Sequence, residues 1–223
     1  MRFLMMDTCG SEASVALADD SAGGVVASQT LPGRSASERL LPVVREMLAG
    51  AAWRLRDLDA VVVVHGPGSF TGVRVGLSAA KGLSEASGVG LIAVSRLLVL
   101  ADMVGRGDGA AVCSVLDAGR GEFYCGLYEG ARCVREALLS RDEVTEAAAP
   151  ASEVIVCEAK VAEALEHLKP RIVREPLASD VYGIALVRVQ AKAFDDAATI
   201  DANYLRRTDV EIFAKPVGLG SSR

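Results

Sequence analysis

The sequence predicts an α/β protein of two lobes, made by repeating one unit of three strands followed by alternating helices and strands. Short apolar runs of strand length alternate with longer amphipathic stretches, the pattern of sheets covered by helices. Each half also opens on a strand that ends in aspartate, Asp7 in the first and Asp117 in the second. A third observation is the stretch His65-Gly66-Pro67-Gly68-Ser69-Phe70-Thr71-Gly72-Val73-Arg74-Val75-Gly76, directly after the apolar run Ala60 to Val64. That order reads as a buried strand, a tight glycine turn and a helix start.

In the first half, Arg2 to Asp7 reads as a buried strand, Ala13 to Ala18 as a second and Gly24 to Thr30 as a third. Turn residues Cys9-Gly10-Ser11 and Asp19 to Gly23 separate them. Ser35-Ala36-Ser37-Glu38 has the spacing of a capping box and opens a helix with Leu40, Leu41, Val44, Met47 and Leu48 inward. Pro42 inside that helix is expected to bend it or delay its start. The Ala60 to Val64 strand follows, then a helix to Ser87 capped by Ser69 or Thr71. A strand at Leu91 to Val94 and a helix capped by Ser95 complete the half.

The second half repeats the order. Val112 to Asp117, Glu122 to Tyr128 and Arg132 to Leu138 read as another three-strand meander. A helix at Asp142 to Ala147, a strand at Val154 to Cys157 and a helix from Ala159 to Leu168 follow. Arg171 to Arg174 reads as a last strand, and Ser179-Asp180 opens a helix to Phe194. Gly105 to Gly109 is the natural hinge. We therefore expect an N-terminal lobe over residues 1–106 and a smaller C-terminal lobe over 107–223, its last residues packing back on the first lobe.

Composition narrows the function classes. The balance of 24 basic and 29 acidic residues gives a net charge of −5, which argues against a nucleic-acid platform. Arg206-Arg207 is too short to form a basic patch. Hydrophobic residues make up 51%, yet no apolar run approaches the ~18 residues of a membrane span. Phe3 to Met6 is already strand-like, without the charged and cleavable pattern of an export signal. Five scattered cysteines, Cys9, Cys113, Cys125, Cys133 and Cys157, lack any Cys-x-x-Cys and read as free thiols of a reducing cytoplasm. His65 and His167 are far apart, so no metal site is expected.

Two copies of this topology resemble the actin, sugar-kinase and Hsp70 superfamily (ASKHA), whose domains are ribonuclease H-like. That resemblance implies two aspartate-bearing hairpin turns facing each other, with ATP phosphates and Mg²⁺ between them. A narrower resemblance rests on Gly66-Pro67-Gly68-Ser69-Phe70-Thr71-Gly72-Val73-Arg74-Val75-Gly76 with Ala79-Ala80-Lys81-Gly82-Leu83. Together with Asp7-Thr8, Ser37 to Pro42, Asp117 to Tyr124 and Tyr204-Leu205-Arg206, this is similar to the TsaB (YeaZ) family. The family usually carries a histidine where this chain has Ala36.

The resemblance implies a non-catalytic partner and scaffold of the TsaD transferase, which forms threonylcarbamoyladenosine next to the anticodon of tRNA. It also implies TsaE as the ATPase of the machine, a homodimer when the chain is alone, and tRNA contact only through the complex. No tightly bound cofactor is expected; ATP or ADP belongs at the interface with the partner. The alternative is an ATP-dependent enzyme, a small-molecule kinase or metal-dependent transferase. Against it, Val156-Cys157-Glu158-Ala159 lacks the Gly-Gly turn that holds adenosine, and the first long helix has no His-x-x-x-His.

Candidate residues follow from both readings, and none is assigned a catalytic or metal-binding role. Asp7, Thr8, Asp117, Arg120 and Glu122 are candidate nucleotide or cleft contacts, with a solvated hairpin turn as the plainer reading of the last three. Gly66, Pro67, Gly68, Ser69, Phe70, Thr71, Gly72 and Arg74 form the family loop, either an anion site at a helix start or a tight connection. It is not a Walker motif. Gly72, Gly76 and Ala80 fall four apart and leave a bare helical stripe, facing either the protein's own sheet or a partner. With Leu40, Leu41, Val44 and Leu83 they form the candidate partner interface.

Overall fold

The structure, a computed structural model, describes residues 1–32, 35–105 and 110–205. The first half runs β1 (Arg2–Asp7), β2 (Glu12–Asp19), β3 (Gly24–Pro32), α1 (Ala36–Gly50), β4 (Ala60–Val64), α2 (Phe70–Ser87), β5 (Gly90–Val94) and α3 (Arg96–Asp102). The second runs β6 (Ala111–Gly119), β7 (Glu122–Glu129), β8 (Arg132–Ser140), α4 (Arg141–Ala148), β9 (Glu153–Val156), α5 (Ala159–Ala164), β10 (Arg171–Ile172) and α6 (Tyr182–Gln190). The two sheets have the same strand order, β3-β2-β1-β4-β5 and β8-β7-β6-β9-β10. Each central strand is antiparallel to the hairpin partner and parallel to the next. This is the duplicated ribonuclease H-like fold.

Strands β1 and β4 read as unbroken apolar runs because both faces of their sheet are covered. Leu4, Met6, Val61 and Val63 point to α1 and α2, while Phe3, Met5, Val62 and Val64 point to the opposite face. That second face is closed by Val99 of α3 and by Ile184 and Ala185 of α6. Helix α6 thus covers the first sheet, although the repeat pattern assigns it to the second half. Helix α3 lies between the lobes. Its Leu97 and Leu100 pack with Leu116, Tyr128 and Ile155 of the second sheet, and its Leu97 carbonyl accepts a 2.8 Å bond from the buried Ser114 hydroxyl.

Several boundaries differ from the sequence reading for local reasons. Ser35 donates its hydroxyl to the Pro32 carbonyl at 2.9 Å instead of forming a capping box with Glu38. Helix α1 nevertheless starts at Ala36 and runs on through Pro42. Ala36, where the family usually has histidine, is buried against the first core. Helix α5 stops at Ala164, and a tight turn over Glu166–Leu168 hands over to Lys169 in the left-handed region. Only Arg171–Ile172 of the last strand is paired. The final helix begins as a tight turn over Ala178–Val181 and ends at Gln190. Residues 106–109 of the expected hinge, and Arg206, lie outside the described residues.

The bare stripe of α2 faces its own lobe. A Cβ on Gly72 would run into the Thr8 carbonyl oxygen, and one on Gly76 into the Thr8 hydroxyl. Ala80 has no exposed surface. Overpacking such a contact typically costs about 1–3 kcal/mol. Gly76→Leu is therefore expected to lower the melting temperature before any loss of self-association; melts and sedimentation velocity on the same samples check the order.

Candidate functional site

The carboxyl ends of β1 and β4 meet the start of α3 at the junction of the lobes. Asp7 ends β1 almost completely buried, and its Oδ1 accepts from the Cys9 amide at 2.8 Å. Arg96 follows the Ser95 cap of α3 and is only 5% exposed, with Nε 3.9 Å from Asp7 Oδ2. Neither Asp7 Oδ2 nor Arg96 Nε has a hydrogen-bond partner among the described residues. Arg96 Nη2 donates to Glu175 Oε1 at 2.5 Å. The same carboxylate accepts from the Ser11 amide at 2.9 Å and the Ser11 hydroxyl at 2.5 Å. Burial pushes the Asp7 carboxyl above its ordinary value, against the pull of Arg96. Burial also raises Glu175, but the Ser11 bonds and Arg96 outweigh it and hold that carboxyl low.

The glycine loop packs on the β1–β2 turn. The Gly66–Pro67 bond is cis, and Gly66 and Gly68 have φ of +107° and +158°. A Cβ on Gly68 would clash with Cys9, whose carbonyl accepts from the Ser69 amide at 2.8 Å. Ser69 caps α2 through the Gly72 amide, and the buried Thr8 hydroxyl donates to the Gly72 carbonyl at 2.6 Å. Arg96 N–H donates to the Gly66 carbonyl at 2.7 Å. The loop's glycines thus answer to close approach between two turns. Phe70 and Thr71 point to solvent. Arg74 lies over the Phe70 ring, its Cζ 3.6 Å from the centroid, and its Nε donates to the Tyr204 hydroxyl at 2.7 Å.

In the second half Asp117 is held by Lys160, whose ammonium lies 2.6 Å from Oδ2. Partial burial raises the Asp117 carboxyl, but the Lys160 bond outweighs it and the net position is low. Its amide donates to Glu158 Oε2 at 2.7 Å. Arg120 is exposed at the turn in the left-handed region, and Glu122 opens β7 half-buried. Cys157 feels Arg96, Glu158 and Glu175 together, and burial above all pushes its thiol up to about 11. The Cys9 thiol, raised further by burial, donates to the Val64 carbonyl. Burial thus keeps both thiols protonated at neutral pH.

The expected partner interface divides. Leu40 and Val44 belong to the lobe's own core, at 1% and 2% exposure. Gly72, Gly76 and Ala80 are turned inward, as the fold requires. Leu41, 51% exposed, and the half-buried Leu83 reach the surface. They line an open apolar groove of about 470 Å³ with Arg45, Leu48, Trp53 and Leu55.

Comparison with known proteins places this geometry. The family model "TsaD: tRNA N6-adenosine threonylcarbamoyltransferase" matches residues 12–220. The solved structure "YeaZ from Pseudomonas aeruginosa" superimposes with a TM-score of 0.76 at 30% identity, over 92% of this chain and 99% of that one. The chain belongs to the TsaB (YeaZ) family. The tRNA threonylcarbamoyladenosine biosynthesis protein TsaB of Escherichia coli is 39% identical over 130 residues, 58% of this chain and 55% of that protein. Its Bacillus subtilis namesake is 35% identical over 130 residues, 58% and 56%. The chain thus spans about half the length of the curated TsaB relatives it matches. No described helix is long and apolar enough to cross a membrane.

Arg96 and Glu175 escaped the sequence reading. Arg96 left a faint signal, a lone charge opening the apolar run Leu97 to Ala101. Glu175 left none, because its partners lie 79 and 164 positions away. Removing Arg96 leaves Asp7 buried without its counter-charge, which costs about 3–5 kcal/mol. The folded Asp7 takes up its proton at higher pH than the unfolded chain, near 3.8, so acid relieves that cost. Arg96→Ala should therefore lose most stability at neutral pH, with the deficit shrinking as the pH falls toward the Asp7 range. Urea unfolding of both proteins at pH 7 and pH 5 measures it; an unchanged deficit would contradict the burial argument.

Proposed function

We propose that this chain is a non-catalytic partner of a TsaD-type transferase in the formation of threonylcarbamoyladenosine next to the anticodon of tRNA. The observation that carries this reading is the consumption of both signature aspartates by the chain's own cations. Arg96 stands beside Asp7 and Lys160 on Asp117, so each carboxylate already faces a cation of the chain. The TsaB relatives, named for tRNA threonylcarbamoyladenosine biosynthesis, support the place of the chain in that modification. In this reading the partners are the TsaD paralogue and the TsaE ATPase. Alone, the chain forms a homodimer in the cytoplasm. The isolated chain holds no cofactor tightly, and ATP or ADP belongs at the interface with the paralogue. The net charge of −5 leaves tRNA contact to the complex.

The exposed groove between α1 and α2 supplies the docking surface, with Leu41 at its rim and Trp53 in its wall. A charge at an exposed rim position disrupts association without touching the core. Leu41→Glu is expected to leave the melting temperature within about 2 °C of the parent and to abolish co-purification with the TsaD paralogue of the same cell. Retained co-purification would remove the groove from the interface.

The competing reading is an ATP-dependent enzyme, and turnover separates the two. Purified chain should show no phosphotransfer or threonylcarbamoyl transfer, and only weak tRNA binding. Robust ATP hydrolysis that disappears in an Asp7→Ala, Asp117→Ala double variant would establish the enzyme instead.

A further inference from the structure

The duplicated fold implies ATP phosphates and Mg²⁺ between its two aspartate-bearing turns. The residues of this chain do not fit that group. A buried guanidinium stands 3.9 Å from Asp7 and an ammonium 2.6 Å from Asp117, so a metal cation would enter against a positive charge at each aspartate. The β1–β2 turn, whose amides would face phosphoryl oxygens, already carries a carboxylate. A second anion there would meet direct repulsion.

We propose that Glu175 is a built-in oxyanion: its carboxylate fills the anion position made by the Ser11 amide, the Ser11 hydroxyl and the Arg96 guanidinium, and keeps external oxyanions off the β1–β2 turn. The contacts are those of a bound anion, with three charge-assisted donors on two oxygens at 2.5–2.9 Å. Space at Gly10 is a second sign. A Cβ there would collide with Glu175 Oε1 and press on Arg96 Nη2, so the turn is glycine to make room for the carboxylate. Underneath, Arg96 Nε has no hydrogen-bond partner among the described residues and faces Asp7 Oδ2 at 3.9 Å, so the guanidinium meets a carboxylate on each side.

Access differs between the members. The Arg96 side chain is 6% exposed, whereas that of Glu175 is 36% exposed and approaches from the solvent side. Glu175 belongs to the segment that leaves β10 on the second sheet and enters the Ala178–Val181 turn packed on the first. Its carboxylate thus closes the anion position and ties the returning chain to the β1–β2 turn. This inference does not depend on the partner reading, since it concerns an anion position within one chain.

Truncation of the side chain tests it on the whole chain. Glu175→Ala should melt below the parent in sodium chloride and recover in sodium phosphate or sodium acetate at matched ionic strength. The expected recovery is a saturable rise of about 5 °C, absent from the parent. Glu175→Gln keeps the shape without the charge and should melt lower than the parent with no saturable phosphate response. Equal responses of parent and Glu175→Ala, or none in a folded Glu175→Ala, would overturn the proposal. If Glu175→Ala fails to fold in chloride, recovery on refolding in phosphate supports the proposal, and failure in both oxyanions overturns it. A saturable phosphate response in Glu175→Gln matching that of Glu175→Ala would also overturn it. Enzymatic turnover is read separately, so failure of the partner reading leaves this test intact.

Discussion

The junction of the two lobes depends on one buried guanidinium. Arg96 faces Asp7 at the end of β1 and donates to Glu175 on the returning chain, while its own amide ties the Gly66 carbonyl. A charge at this depth is tolerated only with partners close by. That requirement holds the first hairpin turn, the glycine loop and the entry of α3 in one relative placement. Helix α3 then carries the placement to the second sheet through Leu97 and Leu100.

The glycine loop is best understood as the other half of that junction. Its left-handed residues bring the start of α2 onto Thr8 and Cys9, close enough that side chains at Gly68, Gly72 or Gly76 would strike backbone or hydroxyl. Several of the loop's polar atoms are used in the process. Ser69 and Gly72 amides bond within the junction, and the Gly66 and Gly72 carbonyls accept from Arg96 and Thr8. Across the junction, the turn at Ser11 is the one that holds an anionic group.

A fold alone does not carry chemistry. In this chain Asp7 stands beside Arg96, Asp117 beside Lys160, and the Glu175 carboxylate reaches the first turn at Ser11. What is left exposed is different in kind: an apolar groove between α1 and α2, and the Phe70, Arg74 and Tyr204 stack at the tip of α2.

The strands, the order of the duplicated unit and the family loop were legible in the sequence because each is written locally. Arg2 to Asp7 and Ala60 to Val64 alternate between two covered faces, so their apolar runs mark their full extent. The glycine spacing of α2 announced a close approach but not what approaches, since helical period is the same toward a sheet or a partner. The same limit set Leu41 inward with Leu40 and Val44, whereas the fold buries those two and leaves Leu41 exposed. Assignment of α6 to the first sheet, and of Arg96 and Glu175 to Asp7 and Ser11, rests on contacts between segments as much as 164 residues apart. Local pattern says which side chains are charged; only closure of the chain brings the groups that neutralise them within 4 Å, and at that range the Coulomb term outweighs solvent screening.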